Sequence, residues 1–213
     1  MKEVFLQDVD ERLQRQFAQA GNALKQGAAD YAIQVCGELL RKHPGAFEAR
    51  RLLWESLEAN RNMRRKPLGL LKAKATGMQF RLKVNTLFRK DVLEVVYRCD
   101  EALLKGEIHG ELFTSLGRAA KRLDWPETRV FACWAKVGLD PENLPFRLAL
   151  ANVLLQVGRP EEAIEHLEWI LLKNPSHGEA QTLLKNASVA ETLQRGNWEE
   201  TDTSFFRKLK NNS

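Results

Sequence analysis

Apolar residues recur along the chain at spacings of three and four, with charged residues between them. In AIQVCGELLRK this places Ile33, Cys36 and Leu40 on one side of a helix, as 3.6 residues per turn requires. The same side is formed by Val96, Cys99 and Leu103, by Val130, Cys133 and Val137, and by Ile164, Leu167 and Leu171. Four amphipathic helices, each needing a neighbour to bury against, are therefore predicted.

The four blocks share a register. GAADYAIQVCGELLRKHP (27–44) and GRPEEAIEHLEWILLKNP (158–175) both run from Gly to Pro and carry Ala-Ile at the same offset. Glu48, Ala49, Leu52 and Leu53 follow Pro44 as Glu179, Ala180, Leu183 and Leu184 follow Pro175. Pro141 stands 34 residues before Pro175, and Glu107 ends another apolar block 34 residues earlier. A period of 34 suits a helix-turn-helix unit. Each unit has a preceding helix with Leu53, Leu116, Leu150 or Leu184 in register, followed by Trp54, Gly117, Ala151 or Lys185. Two helices cannot bury both their faces alone, so the units stack in line. The expected fold is all-α, a right-handed α-solenoid of about four helix-turn-helix repeats plus a C-terminal capping helix.

Tiling at this period gives repeats at about 13–46, 47–60 with 90–109, 110–143 and 144–177. A cap follows at 178–195, then a polar tail at 196–213 whose Trp198, Phe205 and Phe206 either cover the end of the stack or meet a partner. The span from Pro44 to Glu107 exceeds one period by 29 residues, which places an insertion at 61–89 inside the second repeat. Charge singles out the same stretch. The chain is +5 overall, yet between 61 and 90 there are ten Lys or Arg and no Asp or Glu, so the remainder is net acidic. GMQFRLKVN alternates like a strand, while Leu68, Leu71, Ala75, Met78 and Leu82 fit helical spacing. Pro67, Gly69, Thr76 and Gly77 weaken a continuous helix, so the expectation is a mobile loop with a short ordered piece packed on the solenoid.

Leu116-Gly117, Leu150-Ala151, Ala32-Ile33, Ala163-Ile164 and the prolines at 44, 141 and 175 resemble the tetratricopeptide repeat family, most closely over 144–177. The resemblance implies a non-enzymatic adaptor that holds a protein or peptide in the concave groove between its first helices. The groove columns implied for this chain contain Lys25, Arg51, Glu55, Arg118, Arg122, Asn152 and Gln156. Such a basic, polar set suits an acidic or C-terminal peptide, because Lys and Arg donate charge-assisted hydrogen bonds to carboxylates. Asn152 matches the asparagine of the family's carboxylate clamp, but Leu148 stands where the clamp has a base, which leaves the peptide class open. Solvated charges on a helix face would show the same pattern.

The alternative is a peripheral binder of anionic membrane lipid or nucleic acid, acting through Arg64, Arg65, Lys66, Lys72, Lys74, Arg81, Lys83, Arg89 and Lys90. Phe80 and Phe88 are the only aromatics of that stretch, which disfavours sequence-specific reading of single strands.

Enzymatic signals are poor. His43, His109, His166 and His177 are scattered, and no HExxH pair or phosphate-binding Gly-rich loop occurs. Glu162 and His166 share a helix face, where solvation explains them. Cys36, Cys99 and Cys133 fall in one inward column and read as free packing thiols, Trp54, Trp134 and Trp169 as packing residues, and Trp125 as a turn residue. No cofactor or metal is expected. The charged N-terminus, MKEVFLQDVDERL, lacks the apolar core of a signal peptide, so the expected location is cytoplasmic, and membrane-peripheral if the basic stretch meets lipid.

Overall fold

A computed structural model describes residues 2–63 and 69–210, with side chains over 2–60 and 77–195. Arg64, Arg65 and Lys66 lie outside the described residues, as do the side chains of Lys72, Lys74, Trp198, Phe205 and Phe206. The described residues form ten α-helices and no strand. They divide into two compact units, 1–139 and 140–213.

The first unit holds α1 (Glu11–Lys25), α2 (Ala29–Lys42), α3 (Phe47–Met63), α4 (Gly69–Leu87), α5 (Val92–Leu104), α6 (Gly110–Leu123) and α7 (Pro126–Leu139). Chain neighbours pack together: α1 on α2, α2 on α3, α5 on α6 and α6 on α7. Further contacts join α2 to α5, and α3 to both α5 and α7. The second unit holds α8 (Leu144–Gln156), α9 (Pro160–Lys173) and α10 (Gly178–Lys210), with α9 packed on both its neighbours. Within each unit this is the packing of stacked helical hairpins. Among the described residues no helix is long and apolar enough to cross a membrane.

The apolar columns account for the packing. Every member of the three columns is buried or half-buried, and Cys36, Leu40, Val96, Cys99, Leu103 and Leu167 are at most 1% exposed. Leu53, Leu116 and Leu150 of the preceding helices are equally buried. Gly37 lets α2 and α5 meet, because a Cβ there would lie 2.9 Å from a Leu104 methyl. Cys133 is half-buried, and all three thiols are free. Two tryptophans depart from expectation. Trp134 is 42% exposed, whereas Trp125 is fully buried beneath the α6–α7 turn, which Asp124 makes in the left-handed conformation (φ 57°).

The expectation of a loop fails over Gly69–Leu87, which is helical. Helical spacing places Gly77, Phe80, Val84 and Phe88 on one face, with Gly77, Val84 and Phe88 buried and Phe80 half-buried. Gly77, which counts against a helix on propensity, instead permits close approach: a Cβ would sit 3.3 Å from His109 Nδ1 at the start of α6. Tertiary packing outweighs propensity here. At the other end of the chain, α10 continues from the expected cap into the expected tail.

A polar chain that hydrophobic patterning did not foretell crosses the first unit. Arg50 is fully buried and pairs with Asp100 through two hydrogen bonds, of 2.7 and 2.8 Å. It also donates to the Pro44 carbonyl and, at 3.2 Å, to Thr128 Oγ1. The Thr128 hydroxyl in turn donates to Glu3 at 2.6 Å. Glu3 accepts from the backbone N–H groups of Glu127 and Thr128 in the first turn of α7 as well, where a carboxylate complements the helix dipole.

Candidate functional site

The site forms where the end of α4 meets the outer face of α6. His109 caps α6, its Nδ1 accepting from the Leu112 N–H at 3.1 Å. Leu112, Phe113, Leu116, Ala119 and Ala120 turn inward, so Arg118, Lys121 and Arg122, spaced three and four apart, share the exposed side. Opposite them, α4 ends at Leu87 and Asp91 caps α5 by accepting from Leu93 and Glu94. Phe88, in the turn between, is 6% exposed and anchors the end of α4.

Three contacts fasten this end to α6. Arg122 donates to the Phe88 carbonyl at 2.6 Å, satisfying an acceptor that the end of a helix leaves orphaned. The Arg118 guanidinium lies over the Phe88 ring, 4.3 Å from its centroid, and donates to Asn85 Oδ1 at 3.3 Å. Between the two elements lies a cavity of about 600 Å³ lined by Asn85, Phe88, Arg89, Arg118, Lys121 and Arg122. Four of these are cations, and among the described residues no carboxylate lines the cavity.

The structure thus brings together Arg118 and Arg122 from the expected groove and Arg89 from the expected polyanion set. Lys121, Asn85 and Phe88 were missed from sequence. Lys121 was signalled only by its i+3 spacing from Arg118, and the other two only by the helical spacing of 77–88. The remaining groove candidates are not among the residues lining this cavity. Lys25 is exposed in the last turn of α1, and Arg51 and Glu55 pair with each other at 3.0 Å on α3. In the second unit, Gln156 donates to Asn152 at 3.1 Å on the exposed face of α8. Of the basic stretch, Arg81 stands 3.9 Å from Glu111, and Lys83 and Lys90 are exposed.

A cavity of about 500 Å³ between α2 and α5 makes a useful contrast. Its Arg98 pairs with Glu94 and Glu101, so opposite charges offset one another there. Glu162 pairs with Arg159, and His166 Nδ1 lies 3.3 Å from Arg147 Nη1, so the two do not form a unit. Arg147 also covers the Trp169 ring at 3.9 Å. Among the described residues no three His, Cys, Asp or Glu side chains cluster to hold a metal ion.

A family model for the tetratricopeptide repeat matches residues 135–187. That stretch is similar to the tetratricopeptide repeat. The matched stretch encloses the α8–α9 hairpin and reaches into α10. No curated protein sequence matches the chain. Tetratricopeptide repeats generally mediate protein–protein interaction.

Proposed function

We propose that the protein is a non-enzymatic adaptor that seats an acidic segment of a protein partner on the exposed face of α6. The supporting observation is the convergence of Arg89, Arg118, Lys121 and Arg122 on one cavity with no carboxylate in its described lining. Cations gathered this way attract an anionic partner from a distance and hold it by charge-assisted hydrogen bonds. The repeats supply a rigid frame, and the action is binding alone.

Lipid is the less favoured occupant. A helix lying in a membrane surface needs a free apolar face, whereas over the described side chains of 77–88 Gly77, Val84 and Phe88 pack inward and the exposed Met78 and Leu82 alternate with the exposed Gln79, Arg81 and Lys83.

Affinity purification with the double variant Arg89→Glu, Lys121→Glu tests the proposal. These side chains line the cavity without fastening α4, unlike Arg118 and Arg122, so the variant should keep the wild-type thermal midpoint. Loss of the proteins recovered with wild type is expected. Recovery of the same proteins by the folded variant would contradict it.

A further inference from the structure

We propose that the cavity between α4 and α6 is a receptor for a phosphoryl group, and that the acidic segment seated there is a phosphorylated serine or threonine of the partner. This deepens the adaptor reading and rests on it. The argument starts from charge. A carboxylate carries one negative charge, and one guanidinium satisfies it through a bidentate pair. Three Arg and one Lys around a single cavity far exceed that need. A phosphorylated side chain carries about −1.5 to −2 and presents three strong acceptor oxygens.

The donors are also partly fixed in advance. Arg122 is held by the Phe88 carbonyl and Arg118 by Asn85 and the Phe88 ring. Each guanidinium has five N–H donors and uses one in these contacts, so several remain. Arg89 and Lys121 make no ion pair with a carboxylate among the described residues. Fixing two of four donors before the ligand arrives lowers the ordering cost of binding.

Nucleic acid also offers phosphate, but the one aromatic in the lining, Phe88, is buried with Arg118 against its ring, so no face is left on which a base could stack.

The test is an NMR titration of the full chain at constant ionic strength. The probes are inorganic phosphate, a blocked Ala-phosphoserine-Ala peptide, and the same peptide with Ser or Glu at its centre. The phosphoserine peptide should give saturable shifts at Asn85–Arg89 and Arg118–Arg122, with inorganic phosphate perturbing the same amides. It should bind at least tenfold more tightly than the Glu peptide, and Arg89→Gln with Lys121→Gln should weaken it about tenfold. Equal binding of the Glu and phosphoserine peptides would overturn the proposal, as would shifts confined to other helices. So would binding to phosphatidylserine vesicles or a DNA oligonucleotide through these residues without phosphoserine binding. Partner capture that requires Arg89 and Lys121 but survives phosphatase treatment would overturn the phosphoryl assignment and leave the adaptor reading standing.

Discussion

Arg50 lies in EARRLL, where the apolar pattern gives no sign of its burial, yet it is fully buried. A buried guanidinium is tolerable only because Asp100 pairs with it and two further oxygens accept from it. Asp100→Ala should therefore cost about 3–5 kcal/mol in urea unfolding, since it leaves Arg50 buried without its counter-charge. A cost below about 1 kcal/mol would show that the pair is not sequestered. Burial pushes the Cys36 thiol up to about 12, with Glu55 adding to the shift, and raises Cys99 well above the ordinary thiol value. The native protein should thus release no rapid signal from these two thiols with a disulfide reagent at pH 8, while the unfolded chain gives all three. The sign of the pH dependence follows. The unfolded thiol ionises near 9, and folded Cys36 keeps its proton to about 12, so its contribution to stability is whole below 9 and is lost as pH rises towards 12.

His109 acts at the same scale in the opposite direction. Its burial lowers its affinity for a proton, against the pull of Glu107 and Glu111, and its Nδ1 must stay unprotonated to cap α6. Its pKa lies below the unfolded value of 6.5, so the stability it contributes is present above that value and lost as pH falls through the folded one. The thermal midpoint should drop between pH 7.5 and 5. His109→Asn, which can still cap, should flatten part of that slope, while His166, lowered by burial and by Arg147, retains the rest. An unchanged slope in the variant would exclude His109 as its source.

Among the elements, those with a strong three-and-four pattern were legible in the sequence, and those positioned by polar contacts were not. The columns through Cys36, Val96, Leu103 and Leu167 identified α2, α5 and α9 because burial imposes a periodicity on the residues themselves. α4 escaped because its Gly and Thr residues weigh against a helix locally, and the partner surface on α6 reverses that balance. The cavity was half legible. Arg118 and Arg122 were found through a family resemblance, but no sequence pattern brings Arg89 to them across the chain. Phe88 is the hinge of this arrangement, so Phe88→Ala should destabilise the first unit by about 3–5 kcal/mol and speed exchange of the α4 amides. Arg122→Gln, which removes one hydrogen bond near the surface, should cost about 1 kcal/mol. Equal effects of the two would show that the ring is not the anchor.

For the molecule as a whole, the basic character of the chain is local. A stretch of ten cations sets the overall sign, and its C-terminal end meets three further cations on α6 to form a surface suited to an anion. The stacked helical hairpins place that surface within the first unit, and the N-terminal segment helps close the unit by setting Glu3 on the start of α7. Glu3→Ala should lower stability by about 1–3 kcal/mol, since it leaves Thr128 and two N–H groups without their acceptor. An unaltered urea midpoint would mean that the segment is not bound there. The cavity, the adaptor role and the phosphoryl ligand all require α4 to be a helix docked on α6. Hydrogen exchange of the intact protein read by mass spectrometry tests this most directly. Amides across 77–88 should exchange at least a hundredfold more slowly than an unstructured chain; exchange at the unstructured rate, with α6 itself protected, would contradict the account.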